Sequence, residues 1–182
     1  MKDQTKIIKK KTKNLTHSEL DEIKSFLINC FNDNPNFLKS VYSNLDLDEC
    51  LLLYSNNKLI GHIGINRRII SHKNKIYIIG GIGDVAVDEK YRNQGLGNKL
   101  IKEVNKVIEE EDYNLGILFN HPKLDNFYSS CGWIPKDSGK IFATINGILE
   151  DQQRTFLLPL KLTEEDLKIW ENEDINIGNG SW

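Results

Sequence analysis

No apolar run in the chain approaches the ~18 residues of a membrane span, and the lysine-rich start lacks the apolar core of a secretory signal. Nor is there an excess of one charge. The 24 basic residues stand against 26 acidic ones for a formal −2, whereas general nucleic-acid binding needs a basic face. Cysteine is scarce: Cys30, Cys50 and Cys131 are odd in number, widely spaced and form no C-x-x-C. That pattern fits neither a disulfide framework nor a zinc site, so they read as packed, reduced thiols in a cytoplasm. No repeat, low-complexity linker or compositional break divides the 182 residues. This length suits one domain over 1–182 with a single sizeable core. No membrane, nucleic acid or metal is expected as a partner.

What is present reads as alternating strands and helices. Lys6 to Lys11 (KIIKKK) forms a short first strand with a solvated lysine edge, or a basic arm for an acidic partner. Thr16 and Glu19 have capping-box spacing. Leu20, Ile23, Phe26, Leu27 and Cys30 then recur at helical spacing, which predicts an amphipathic helix over about 17–31. Asn32 to Asn36 breaks it, and a shorter helix runs through Phe37, Leu38, Val41 and Tyr42. A three-strand meander follows: Glu49–Tyr54, Leu59–Ile70 and Ile76–Val87, joined by turns at Ser55–Lys58 and Ser71–Asn74. Next come a helix over about 94–112, a buried strand at Tyr113–Phe119 and a short helix at Leu124–Ser130 capped by Gly132. Strands at Trp133–Pro135, Ile141–Ile145 and Thr155–Leu160 complete the pattern. His62 reads as a half-buried strand histidine and His72 as a turn residue.

The chain is organised around Ile82 to Ile101, where a β-branched run, a polar turn and the start of a helix succeed one another. Arg92, Gly95 and Gly97 stand in the turn as R-x-x-G-x-G. A helix N-terminus leaves about four N–H groups without intrahelical partners and is electropositive. Glycines there remove the β-carbons that would hold a bulky anion away, so the turn reads as a pyrophosphate seat. The earlier Gly80-Gly81-Ile82-Gly83 opens no helix, so it is not a dinucleotide fingerprint. These glycines mark a bulge or a close backbone approach in a strand that must splay.

V-A-V-D-x-x-Y-R-x-Q-G-L-G closely resembles the acetyl-CoA signature of the GCN5-related N-acetyltransferase (GNAT) superfamily, and Phe127 to Trp133 resembles its later F-Y-x-x-x-G-F/W motif. The resemblance covers roughly residues 50–135. It implies a mixed α/β fold: a mostly antiparallel central sheet, splayed between two parallel strands and flanked by helices. It also implies acetyl-CoA as acetyl donor and direct transfer to a primary amine. The backbone from Arg92 through Asn93, Gln94, Gly95, Leu96 and Gly97 would hold the pyrophosphate, with the Arg92 side chain as an anion partner. Val85, Ala86 and Val87 would pair with the pantetheine amides, and a freed N–H near Val85 would face the thioester oxygen. Asn120 would complete the cofactor contacts. Tyr128 matches the tyrosine that serves as general acid beside the cofactor sulfur. Asp84, directly or through a water, is the candidate base, with His121 as runner-up. The protein alternatively senses CoA without chemistry, or acetylates a protein amine.

Within the superfamily the chain looks like the aminoglycoside 2′-N-acetyltransferases. It shares Arg67-Arg68, Tyr128 with Gly132-Trp133, Leu158-Pro159 and a terminal Trp182. In that group acidic side chains and the C-terminal carboxylate surround a polycationic sugar. The counterparts are Asp33, Asp151 (or Glu150) and the carboxylate of Trp182 in the tail 163–182, giving a small cationic amine as acceptor. The acid expected one residue earlier falls on Gly83, and strand alternation would turn Asp84 to the opposite face. By analogy with the superfamily, an exposed strand within 141–160 would serve a homodimer.

Overall fold

The computed structural model describes residues 5–31, 47–136, 138–152 and 154–180. It is a mixed α/β structure whose larger sheet has, in order, the strands Thr5–Lys11 (β1), Glu49–Ser55 (β2), Lys58–His72 (β3), Lys75–Val87 (β4), Leu115–Phe119 (β5), Thr155–Pro159 (β9) and Ile134–Pro135 (β6), with a second sheet ordered Ile175–Asn179 (β10), Ile141–Ile145 (β7) and Ile148–Asp151 (β8). The chain divides into two compact units, Met1–Asn66 with Asp84–Val104, and Arg67–Gly83 with Asn105–Trp182. The long strands β3 (Lys58–His72) and β4 (Lys75–Val87) each contribute residues to both.

In the first unit, β1 (Thr5–Lys11) pairs antiparallel with β2 (Glu49–Ser55), and β2 with β3. β1 is the sheet edge, as its lysines suggest, because unpaired strand edges favour charge. Helix α1 (His17–Cys30) starts with the expected capping box: Thr16 Oγ1 accepts from Glu19 N, and the Glu19 carboxylate accepts from Thr16 N. Lys10 joins Glu19 and holds its carboxyl down to about 2. Ile23, Phe26 and Leu27, one stripe of that helix, bury against Cys50, Leu52, Leu59 and Ala86. Asn56 and Asn57, both at positive φ, close the β2–β3 hairpin with the two-residue turn that matches strand twist. On the other face Gly61 makes room for Leu100, whose Cδ1 lies 2.8 Å from where a β-carbon would stand. Leu100 belongs to helix α2 (Leu96–Glu110). The short helix expected through Phe37 to Tyr42 lies outside the described residues.

In the second unit, β5 (Leu115–Phe119) runs parallel to β4, with Ile79–Ile82 opposite Leu115–Leu118, and antiparallel to β9 (Thr155–Pro159). Helix α3 (Asp125–Ser130) leads through Gly132 at φ +92 into β6 (Ile134–Pro135), which pairs with β9. Gly80 and Gly116 are register partners. A β-carbon at Gly116 would sit 2.7 Å from Trp133 Cη2 and 2.9 Å from Ile108, and one at Gly80 would crowd Tyr113 at 3.3 Å. Of the two roles the sequence left open for Gly80, the structure assigns close packing. Tyr113 folds over that gap instead of joining the strand, so β5 begins at Leu115 and not at Tyr113.

The expected strand β7 (Ile141–Ile145) is present, and around it the C-terminal region carries structure the sequence did not announce: β7 pairs with β8 (Ile148–Asp151) and, in parallel, with β10 (Ile175–Asn179). Between them helix α4 (Glu164–Asn172) buries Trp170 fully, edge-on to Tyr77 with ring centroids 5.5 Å apart. Thr163 caps the helix by accepting from Asp166 N. Lys136 donates to the Trp170 and Glu173 carbonyls at its end, where a cation complements the helix dipole. His72, expected in a turn, closes β3 and bonds Glu173 at 3.1 Å.

Candidate active site

The signature strand changes character at Asp84. Lys73 and Asn74, both at positive φ, turn β3 into β4 and set His72 opposite Lys75. Carried along unbroken, that register would put Ile60 opposite Val87. Instead Asp88 N donates to Ile60 O at 2.9 Å, so β4 holds one extra residue. Asp84 is the residue of β4 in the left-handed region, at φ +49. Such a conformation strains a non-glycine residue, and a bulge is where it is tolerated. The bulge expected somewhere among Gly80 to Gly83 therefore lies at Asp84. The carboxyl of Asp84 is part-buried, and burial pushes it up to about 6.

Beneath the bulge lies His62 on β3, fully buried, its Nδ1 2.9 Å from the Asp84 carbonyl oxygen. A carbonyl oxygen can only accept, so Nδ1 carries the proton and Nε2 is the acceptor. Nε2 has no partner among the described residues. Burial drives this imidazole down to about 4, against the smaller upward pull of the Asp84 bond. The sequence had it half-buried and without a task. Its signal there is a histidine inside the otherwise apolar run Leu59–Ile65.

After Val87 the chain makes the turn that the R-x-x-G-x-G pattern called for. Asp88 accepts from Lys90 N and from Lys58 Nζ, closing a short 3-10 turn over Glu89–Tyr91. Arg92 Nε donates to Val87 O at 3.1 Å, while Arg92 to Gly95 stay exposed. Asn93 at φ +61 and Gly95 at φ +76 swing the backbone into α2. The first intrahelical bond is Lys99 N to Gly95 O, so the N–H groups of Leu96, Gly97 and Asn98 precede it. Helix α2 thus starts two residues later than expected, because positive φ at Gly95 cannot be helical. A β-carbon at Gly95 would meet nothing within 4 Å. The space above these N–H groups is open, and a pyrophosphate group fits the cradle chemically. The adjoining cleft of about 480 Å³ is lined by Lys58, Lys90 and Arg92 but also by Glu22, Asp88 and Glu89. Its charges balance.

The remaining candidates belong to the second unit. Tyr128 is buried in α3 against Phe127 and Phe156, with ring centroids 4.9 and 6.3 Å away. Burial, and then the nearby Cys131, lifts its phenol to about 12. Asn105, which the sequence did not single out, fastens the motif: it accepts from Trp133 Nε1 and donates to Cys131 O. Asn120 ends β5 and donates to Asp125 Oδ1 at 3.0 Å, while Arg154 holds the same Asp125. His121 caps the turn at Pro122–Leu124 by accepting from Lys123 N. Asp151 pairs with Lys140 at 2.9 Å. Asp33 and Trp182 lie outside the described residues. All three cysteines are free thiols, no cluster of metal-binding side chains occurs among the described residues, and no described helix is long and apolar enough to cross a membrane.

Comparison with known proteins adds four findings. The Acetyltransferase (GNAT) domain family matches residues 11–135. An aminoglycoside 2′-N-acetyltransferase of Mycolicibacterium fortuitum is 29% identical over 107 residues, 57% of this chain and 54% of that one. A protein of Amsacta moorei entomopoxvirus, provisionally named a glycylpeptide N-tetradecanoyltransferase, is 34% identical over 117 residues, 61% of this chain and 34% of that one. The chain spans about half or less of the length of these curated relatives. Among solved structures, a GNAT family N-acetyltransferase of Escherichia coli in complex with CoA aligns with TM-score 0.68 over 96% of this chain and 90% of that one, at 17% identity.

Proposed function

The chain belongs to the GNAT acetyltransferase family, and from that premise we propose that it is a single N-acetyltransferase domain that moves the acetyl group of acetyl-CoA directly to a primary amine. The observation that carries this reading is the bulge at Asp84 followed by an exposed loop whose Gly95 leaves the start of α2 open. The N–H groups from Arg92 to Gly97, with the Arg92 guanidinium, would hold the diphosphate of CoA. Val85 to Val87, beyond the last β4–β5 pair at Ile82, would bond the pantetheine amides. Acetyl-CoA supplies the activated thioester; the protein's part is to polarise it and move two protons. The Val85 N–H would stabilise charge developing on the thioester oxygen. Asp84, lifted to about 6, is a stronger base than an ordinary carboxylate and would take the amine proton, directly or through water. Tyr128, kept neutral by burial, would donate to the departing sulfur. Asn120 would bind the cofactor at the end of β5.

For the acceptor we propose a small cationic amine, with an aminoglycoside as the leading instance. Support comes from the relative of that name and from the acidic residues Asp33, Asp151 and the Trp182 carboxylate, which would each meet an ammonium group. The test is CoA release from acetyl-CoA, followed by mass spectrometry. The amines would include aminoglycosides with a free 2′-amine, polyamines and a glycyl peptide, and tetradecanoyl-CoA would serve as a second donor. Acetylation of an aminoglycoside or polyamine is the expected result. Transfer only to the peptide would overturn the acceptor, and tight acetyl-CoA binding with no transfer to any amine would leave a CoA sensor in place of an enzyme.

A further inference from the structure

We propose that His62 is a positioning residue for acetyl transfer: by holding the Asp84 carbonyl it fixes the direction in which the Val85 N–H points. The inference rests on the reading of Val85 given above. The described chain contains no cis peptide, so the Asp84 C=O and the Val85 N–H, two ends of one rigid plane, point in opposite directions. His62 Nδ1 takes the carbonyl at 2.9 Å from the β3 side. The Val85 N–H is therefore aimed away from β3, off the side of the strand where a ligand can pair with it. At an ordinary strand residue the ladder would enforce this orientation. At Asp84, with φ +49 and an extra residue in the strand, the ladder is interrupted and the peptide plane needs another restraint.

His62 is suited to that task. It has no solvent exposure, so bulk water does not compete for the ring. Asp84 and Val85 are part of the same compact unit as His62. Packing alone does not account for an imidazole here, since Nε2 is buried without a partner and an unpaired buried polar atom is costly. A leucine would fill the slot without that cost but would leave the Asp84 carbonyl unheld.

The experiment compares His62→Asn, which places an amide donor where Nδ1 stands, with His62→Gln, which places it where Nε2 stands. Acetyl-CoA labelled with 13C at the thioester carbonyl is bound to each protein, and its infrared carbonyl band is read against the free cofactor. The amine need not be known. Calorimetry measures CoA affinity in parallel, and kcat follows where an acceptor has been found. We expect a lowered band frequency in the unmodified protein and in His62→Asn, and a return towards the free value in His62→Gln. In His62→Gln kcat falls about tenfold or more, with CoA affinity within about threefold of the original. An equal band in all three proteins, with CoA bound, overturns the proposal alone. Failure of the unmodified protein to bind acetyl-CoA overturns the proposed function and this inference with it. If neither variant folds, 15N-labelled histidine in the unmodified protein decides: His62 protonated on Nδ1 is required, and an Nε2-protonated ring refutes it.

Discussion

Acidification sets His62 and Asp84 against each other, and the balance is measurable. An imidazole in the unfolded chain titrates near 6.5, but His62 in the fold is driven down to about 4. Between those values the unfolded state holds a proton that the native state refuses, so stability is lost as pH falls; the full gap corresponds to about 3 kcal/mol. Asp84 works in the opposite sense. Its carboxyl moves from 3.8 to about 6 on folding, so between those values the native state holds the extra proton and stability rises as pH falls. Solvent reaches part of that carboxyl, which reduces its contribution to about 2 kcal/mol. Carboxylates held low by partners, such as Glu19 and Asp166, begin to lose their contribution as pH falls through the ordinary carboxylate range, and lose most of it below about pH 4.5. From pH 7 to pH 4.5 the two central groups therefore nearly cancel. Urea unfolding followed by tryptophan fluorescence should give a net loss of about 1 kcal/mol or less for the unmodified protein. Asp84→Asn should expose the histidine and lose about 2 kcal/mol over the same interval, whereas His62→Asn should gain about 1. Parallel changes in all three proteins would refute the burial assigned to both groups.

Other consequences follow from single side chains. Acetyl transfer should show an acid limb near pH 6 in kcat/KM, absent in Asp84→Asn, whose residual rate should be about a hundredfold lower and flat across pH 5–7.5. Tyr128→Phe should lower kcat by about tenfold to a hundredfold while calorimetric CoA affinity holds; unchanged kcat would leave Tyr128 as packing against Phe127 and Phe156. Gly116→Ala should cost about 1–3 kcal/mol in urea unfolding, because its methyl would press on Trp133 and Ile108 at 2.7 and 2.9 Å.

Most of the fold was legible because its signals are local. The Thr16–Glu19 box, the stripe of Ile23, Phe26 and Leu27, and the two-residue turns at Asn56–Asn57 and Lys73–Asn74 each state their structure within a few residues. Of the C-terminal elements, β7 and β9 were legible, but α4 and β10 were not, for a matching reason. Helix α4 has nine residues and one fully buried side chain, Trp170, whose partner Tyr77 lies far back in the sequence. β10 finds its parallel neighbour β7 across more than thirty residues, and no turn chemistry announces a parallel pair. Gly116 was similarly silent, since the need for a missing β-carbon comes from Trp133 on another element.

The turn after β4 was legible in the sequence, whereas the break inside β4 at Asp84 was not. Arg92, Gly95 and Gly97 announce the turn into α2 in the order of residue types alone. Strand alternation, by contrast, put Asp84 on the face opposite to Gly83 and so away from the role of a base. That rule holds only while every residue stays extended. Asp84 does not: at φ +49 it interrupts the alternation at the position where the acid was needed. Aspartate is among the few side chains other than glycine that enter the left-handed region at modest cost. An acid at residue 84 is thus not bound to the face that strict alternation would assign to it. The same bulge breaks the backbone ladder, and a neighbour that can donate from within the core, His62, takes over the Asp84 carbonyl. With the roles proposed above, base, amide and restraint would form one unit: moving the acid without the bulge, or keeping the bulge without the histidine, would separate the carboxylate from a correctly aimed Val85 N–H.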